Sequence, residues 1–138
     1  YIFKETGYNF RMPNINAALG IAQLKKLKTI LANKRKVYKI YKDYFSQIKG
    51  TKLMKEPINC RSNFWLQTLI LDKDCSKYKN LILKETNIKN IGTRPCWKPL
   101  HKQKHLQKYP KMDLAGAEEI YARVINLPSS SHLKMKKK

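Results

Sequence analysis

Acidic residues are scarce in this chain: nine Asp and Glu stand against 30 Lys and Arg, a formal net charge of +21 over 138 residues. Such an imbalance ordinarily suggests nucleic acid or an anionic membrane surface as partner. Its distribution argues otherwise. Lysines recur along almost the whole length, from Lys25-Lys26 and Lys34-Arg35-Lys36 through Lys77 and Lys79 to Lys104 and Lys108, with no single block of interleaved aromatics. No helix-turn-helix, zinc-finger or RNA-recognition signature accompanies them, so most belong on solvated faces. A basic nucleic-acid-binding module stays as the alternative reading of the charge.

Long apolar runs are missing too. Nothing reaches the roughly 18 residues of a membrane span, and Tyr1-Ile2-Phe3-Lys4-Glu5 lacks the three-part pattern of a signal peptide, so a soluble, cytoplasmic chain without a membrane partner is expected. The cysteines Cys60, Cys75 and Cys96 are far apart with no C-x-x-C spacing. Neither a zinc site nor a disulfide framework is indicated, and each is expected as a reduced thiol. No internal repeat is present. No initiator Met is present either, and Tyr1 is expected to continue something longer.

What is there suits one globular domain: 42% of residues are hydrophobic, enough for a real core at this length. The stretch Gly7-Tyr8-Asn9-Phe10-Arg11-Met12-Pro13-Asn14 opens a long helix, with Asn14 as N-cap and Pro13 marking the boundary. Ile15, Ala18, Leu19, Ala22, Leu27, Ile30 and Leu31 recur at three-and-four spacing, which predicts one buried face. Val37, Tyr38, Tyr41 and Phe45 continue it to about Gln47, and Gly50 supplies a stop. A connector over 51–63 precedes a strand, Phe64 to Leu71, whose near-continuous apolarity implies a central strand with Trp65 in the core. A helix over Ser76–Thr86 with Tyr78, Leu81, Ile82 and Leu83 inward follows. Then come a short strand over Ile91–Pro95 at a sheet end or edge, a short helix over His101–Gln107, a helix over Leu114–Tyr121 capped by Asp113, and a strand over Arg123–Pro128. The fold class is therefore α/β: a long N-terminal helix plus a small three-stranded, mainly antiparallel sheet covered by helices.

Few residues invite chemistry on their own. Asn9 and Arg11 lie just ahead of a helix start, where free backbone donors and the positive dipole end favour anions, although turn former and surface charge is the plainer reading of such residues. His101 and His105 share a helical spacing without a third ligand, so no metal is expected. Cys96 and His101 are close in sequence only, which does not align a nucleophile with its base. Arg94, Trp97 and His101 form the more interesting set: they can hold a phosphate and stack on a base or sugar, or an indole can simply plug the domain edge beside a surface Arg.

The string Gly7-Tyr8-Asn9-Phe10-Arg11-Met12 followed by Asn14-Ile15-Asn16-Ala17-Ala18-Leu19-Gly20 closely resembles the DegT/DnrJ/EryC1/StrS nucleotide-sugar aminotransferases, pyridoxal-phosphate enzymes of fold-type I. Asn63-Phe64-Trp65-Leu66, Gly92-Thr93-Arg94-Pro95 with Trp97 and Leu100-His101, and Ile125-Asn126-Leu127-Pro128-Ser129-Ser130 fall in the same order. The wording is most similar to the branch that aminates UDP-linked 4-keto sugars toward legionaminic acid. The resemblance implies the small C-terminal domain of a fold-type I aminotransferase. In it residues 1–13 are an active-site arm left from the large domain, 14–49 a connecting helix and 50–131 the small α/β domain; the remaining 132–138, a basic end without an apolar partner face, is expected as a disordered tail. It further implies homodimers with shared active sites, a UDP-sugar substrate and an amino-acid donor such as glutamate. Asn9 then meets the cofactor phosphate of the neighbouring subunit, Arg11 an anionic substrate or donor group, and Arg94, Trp97 and His101 the nucleotide sugar. The aldimine lysine belongs to the large domain, ahead of Tyr1, so the chain alone is expected to be inactive. A non-catalytic dimerisation remnant is the other alternative.

Overall fold

The computed structural model describes Tyr8 and residues 10–133; Asn9 and the basic tail over 134–138 lie outside the described residues. Helix α1 runs from Asn14 to Phe45, about 48 Å at the usual rise per residue. Pro13, and not Asn14, holds the N-cap position, and no side chain caps the first turn. The Pro13 carbonyl accepts from Ala17 N–H at 3.1 Å, so proline enters here with its fixed φ already suited to a helix start.

Gly50, at φ +80°, reverses the chain after α1. A Cβ on it would stand 2.5 Å from Cys75 Sγ, so glycine is required both by backbone conformation and by space. Strand β1, Thr51–Leu53, follows at once, where the sequence pattern had a connector. Three residues beside a turn carry too little alternation to announce a strand. Strand β2 is Gln67–Leu71; a 3-10 turn over Lys73–Tyr78 leads into α2, Lys79–Ile88. Strand β3 is only Arg94–Pro95. Two 3-10 turns, Leu100–Lys102 and Lys104–Leu106, stand where a short helix was expected. Helix α3, Ala115–Arg123, runs directly into β4, Val124–Leu127; Leu114, and not the expected Asp113, holds its N-cap position without a side-chain cap, and Asp113, one residue earlier, accepts at Oδ1 from Ala115 N–H at 3.0 Å.

The sheet has four strands rather than three, in the order β1-β2-β4-β3, with every pair antiparallel. Pro95 falls on an edge strand, where its missing N–H costs no ladder bond. In register, Leu53 faces Leu69 and Leu69 faces Ile125. These side chains, with Leu71 and Leu127, form the core, against which Tyr38, Tyr41 and Phe45 of α1 and Ile82 and Leu83 of α2 pack. Tyr78 and Leu81 of the expected inward set are exposed.

Only the second half of α1 is used in this packing. Val37 is its one buried residue, whereas Ile15, Leu19 and Leu24 are 78%, 61% and 67% exposed. The expected buried stripe is thus half corrected: Ile30 and Leu31 are half-buried, and Ile15, Ala18, Leu19, Ala22 and Leu27 stand in solvent. The physical reason is length, because the strands are three to five residues long where best formed and the helix outruns them. At the other end, His132 and Leu133 border a cleft with Val37 and Ile40 of α1.

Candidate functional site

Phe64 sets the geometry of the site. It has a left-handed backbone, φ +48°, which is uncommon for a bulky side chain and needs surroundings that enforce it. Those surroundings come from α1. The Phe64 ring stacks on Tyr38 at 4.4 Å, with the Arg35 guanidinium 5.0 Å from its centroid. Arg35 also donates to Ser62 O at 2.9 Å and pairs with Glu56 at 3.0 Å. The Arg35 guanidinium and, next, the Ser62 N–H hold the Glu56 carboxyl below its ordinary range.

The left-handed turn at Phe64 buries that ring to 6% exposure and throws Trp65 outward to 64%. Trp65 is therefore not core, contrary to the sequence expectation, and β2 begins only at Gln67. Thrown outward, the Trp65 indole lies 5.7 Å from that of Trp97, itself 64% exposed. The chain has two tryptophans, and both line one cavity of about 430 Å³, within the size range of small-molecule sites. Arg94, Asn126 and Ser129 contribute its polar lining.

Each wall is held from behind. Asn126 is buried; its Oδ1 accepts from Thr68 Oγ1 at 3.2 Å and its Nδ2 donates to Pro95 O at 3.5 Å. Asn87 Nδ2 donates to Thr93 O at 3.0 Å and to its Oγ1 at 3.1 Å, fixing the residue before Arg94. Tyr41 donates its hydroxyl to Pro128 O at 3.0 Å. Lys34 Nζ donates to Ser129 O at 2.7 Å, Trp65 O at 3.2 Å and Phe64 O at 3.3 Å.

The three residues grouped from the sequence do not stay together. Arg94 and Trp97 line the same cavity, whereas His101 borders two other clefts. Its side chain is 10% exposed, and Nε2 bonds Glu118 Oε1 at 2.8 Å. Lys102 completes the cluster, 2.8 Å from Glu118 Oε2. Lys102 first and His101 second hold the Glu118 carboxyl below the usual carboxylate range. The cluster joins the loop carrying Trp97 to α3. Arg11 is exposed ahead of α1, beside a first turn with no acidic residue and no side-chain cap, an arrangement open to an anion. Trp65, Asn126 and Ser129 were not among the residues expected at the site. The signal for Asn126 was a lone amide in the apolar run Val124-Ile125-Asn126-Leu127, since a buried polar group in a strand is placed there for a partner. Among the described residues no three His, Cys, Asp or Glu gather as a metal site.

Fold and site together define a small helix-led α/β domain. It offers an open cavity with two indoles and an arginine, suited to an anionic ligand bearing an aromatic or sugar ring, and a long helix with one half unpartnered. The model of the DegT/DnrJ/EryC1/StrS aminotransferase family matches residues 1–138. EpsN of Bacillus subtilis (strain 168), assigned as a pyridoxal phosphate-dependent aminotransferase, is 36% identical over 96% of this chain and 35% of its own length. The GDP-perosamine synthase of Caulobacter vibrioides is 30% identical over 96% of this chain and 36% of its own. Among solved structures, Helicobacter pylori PseC, an aminotransferase involved in the biosynthesis of pseudoaminic acid, superposes with a TM-score of 0.87 at 25% identity, covering 96% of this chain and 36% of PseC. The Escherichia coli GDP-4-keto-6-deoxy-D-mannose-3-dehydratase with bound hydrated PLP shares the fold, with a TM-score of 0.82 at 22% identity over 95% of this chain and 34% of that one. The chain belongs to the DegT/DnrJ/EryC1/StrS aminotransferase family. It spans about a third of the length of the curated relatives it matches.

Proposed function

We propose that this chain is the C-terminal part of a cytoplasmic, pyridoxal-phosphate-dependent aminotransferase that acts on UDP-linked 4-keto sugars with glutamate as amino donor. The observation that carries this reading is the cavity shared by Arg94, Trp65 and Trp97 in a chain of this family. Arg94 offers a planar fork of donors to a diphosphate, and the indoles offer faces to a base or sugar. His101 and Glu118 serve that cavity indirectly, by anchoring the loop that carries Trp97.

What the described residues offer pyridoxal phosphate fits one part of the cofactor. The uncapped first turn of α1, free of acidic side chains, suits a phosphate, and Asn9 ahead of it is assigned as a donor to that phosphate in a neighbouring subunit. Arg11 is assigned to the carboxylate of the donor or an anionic group of the substrate. When bound, the cofactor supplies the electron sink for amino transfer; its lysine anchor is expected in the part of the relatives' length that this chain does not span. The chain alone is therefore expected to be inactive. The homodimer belongs to the same proposal, and the exposed apolar residues in the first half of α1 support it, because large apolar side chains left in solvent call for a cover. No helix among the described residues is long and apolar enough to cross a membrane.

The relatives' names include both GDP- and UDP-linked sugars, so the nucleotide is decided by assay. In the full-length protein, Arg94→Ala and Trp97→Ala are expected to raise KM for the UDP-sugar by about 10- to 100-fold, the range for losing a charged hydrogen bond or a stacked ring. Unchanged KM in both variants would remove the cavity from the reading.

A further inference from the structure

The three carbonyls on Lys34 come from two distant segments. Phe64 O and Trp65 O lie at 3.3 and 3.2 Å at the entry to β2, and Ser129 O at 2.7 Å lies after β4. An ammonium has three donors and no acceptor, so the set saturates it. Among the described residues Lys34 has no carboxylate partner within ion-pair distance. The main-chain oxygens therefore stand where a carboxylate partner stands for other lysines. The segments are also stitched to each other and to the helix: Ser129 Oγ donates to Trp65 O at 2.6 Å, and Gln67 Nε2 donates to the carbonyl of Lys34 itself at 3.3 Å. Both segments line the cavity, through Trp65 and Ser129.

We propose that Lys34 is a positioning residue for this cavity: its ammonium acts as a tethered monovalent cation in a cage of three backbone carbonyls, and the cage fixes Trp65 against Trp97. Carbonyl oxygens arranged this way replace the hydration shell of a monovalent cation. The covalent stem makes the occupant permanent and places it on α1, the helix whose other half is exposed. The proposal relies on the nucleotide reading only for what the cavity holds.

Two tryptophans at this separation give an exciton couplet in the circular dichroism of the 138-residue chain, and Trp65→Phe abolishes it as a control. Lys34→Met keeps the length and packing of the stem but removes the donors. It is expected to lose the couplet while the helical signal of α1 is retained. Lys34→Ala empties the cage, and ammonium or potassium at about 0.1 M is expected to restore the couplet, whereas sodium or lithium at matched ionic strength is not. A wild-type chain without a couplet, a full couplet in Lys34→Met, or equal effects of ammonium and sodium on Lys34→Ala would each overturn the proposal. No nucleotide enters the measurement, so it fails separately from the nucleotide reading.

Discussion

Replacing Phe64 tests whether the left-handed turn behind the cavity is enforced by packing. Deleting a buried phenylalanine side chain costs about 3–5 kcal/mol, and here the 4.4 Å stack on Tyr38 and the Arg35 cation 5.0 Å away are lost with it. Phe64→Ala is thus expected near the upper half of that range, against a whole-domain stability of roughly 5–15 kcal/mol. In urea, with an m-value of about 2 kcal/mol/M, the midpoint falls by about 2–2.5 M. Phe64→Gly supplies the sharper comparison. Glycine is worse than alanine by about 0.5–1 kcal/mol in ordinary helix or strand backbone, but at φ +48° alanine carries a left-handed penalty of about 1–2 kcal/mol that glycine escapes. The glycine variant is therefore expected to unfold at the same or higher urea than the alanine variant. An alanine variant within about 0.5 kcal/mol of wild type, as for an ordinary surface site, or a glycine variant clearly below alanine, would refute the reasoning.

Gly50→Ala is expected to destabilise by at least about 1–2 kcal/mol from φ alone, and Cys75→Ala in the same chain recovers the part due to the close Sγ; a double-mutant cycle in urea measures that coupling. Glu118 has a folded-state pKa held below its unfolded value by Lys102 and His101. Its stabilisation is therefore complete above the ordinary carboxylate value of about 4.3 and lost as pH falls through the depressed one. Urea midpoints of wild type and Glu118→Gln are expected to differ at neutral pH and to converge in acid; a gap that widens in acid reverses the sign. Changing Ile15, Leu19 and Leu24 to glutamate is expected to leave the urea midpoint of the chain within about 0.5 kcal/mol of wild type while reducing self-association in sedimentation. A large loss of stability would mean that the exposed half of α1 packs within the chain.

The central sheet was legible in the sequence where strands were long and apolar. The strands expected over Phe64–Leu71 and Arg123–Pro128 enclose the observed Gln67–Leu71 and Val124–Leu127, and Pro95 marked its own strand as a sheet end or edge. Thr51–Leu53 did not stand out, since its identity as a strand comes from pairing with Leu69–Leu71 and not from its three side chains. Helix periodicity over 14–45 gave the apolar face but not what covers it, because a pattern of side chains says nothing of how far the sheet extends beneath. In the site, Arg94 and Trp97 were readable from their types and spacing. Trp65 was misplaced because the turn that exposes it depends on a left-handed Phe64, a conformation no local preference predicts and which Arg35 and Tyr38 impose from well up the chain on α1. His101 was drawn off by Glu118, a contact between loop and helix with no signature in either. The Lys34 cage was invisible for a further reason: its ligands are backbone carbonyls, which every residue has.

The most direct measurement is amino transfer by the full-length protein carrying this chain, supplied with pyridoxal phosphate, glutamate and a UDP-linked 4-keto sugar, beside the 138-residue chain under the same conditions. Aminated sugar nucleotide is expected from the full-length protein and none from the chain alone. Product from the chain alone, or no product from the full-length protein with UDP- or GDP-linked keto sugars, would contradict the assignment.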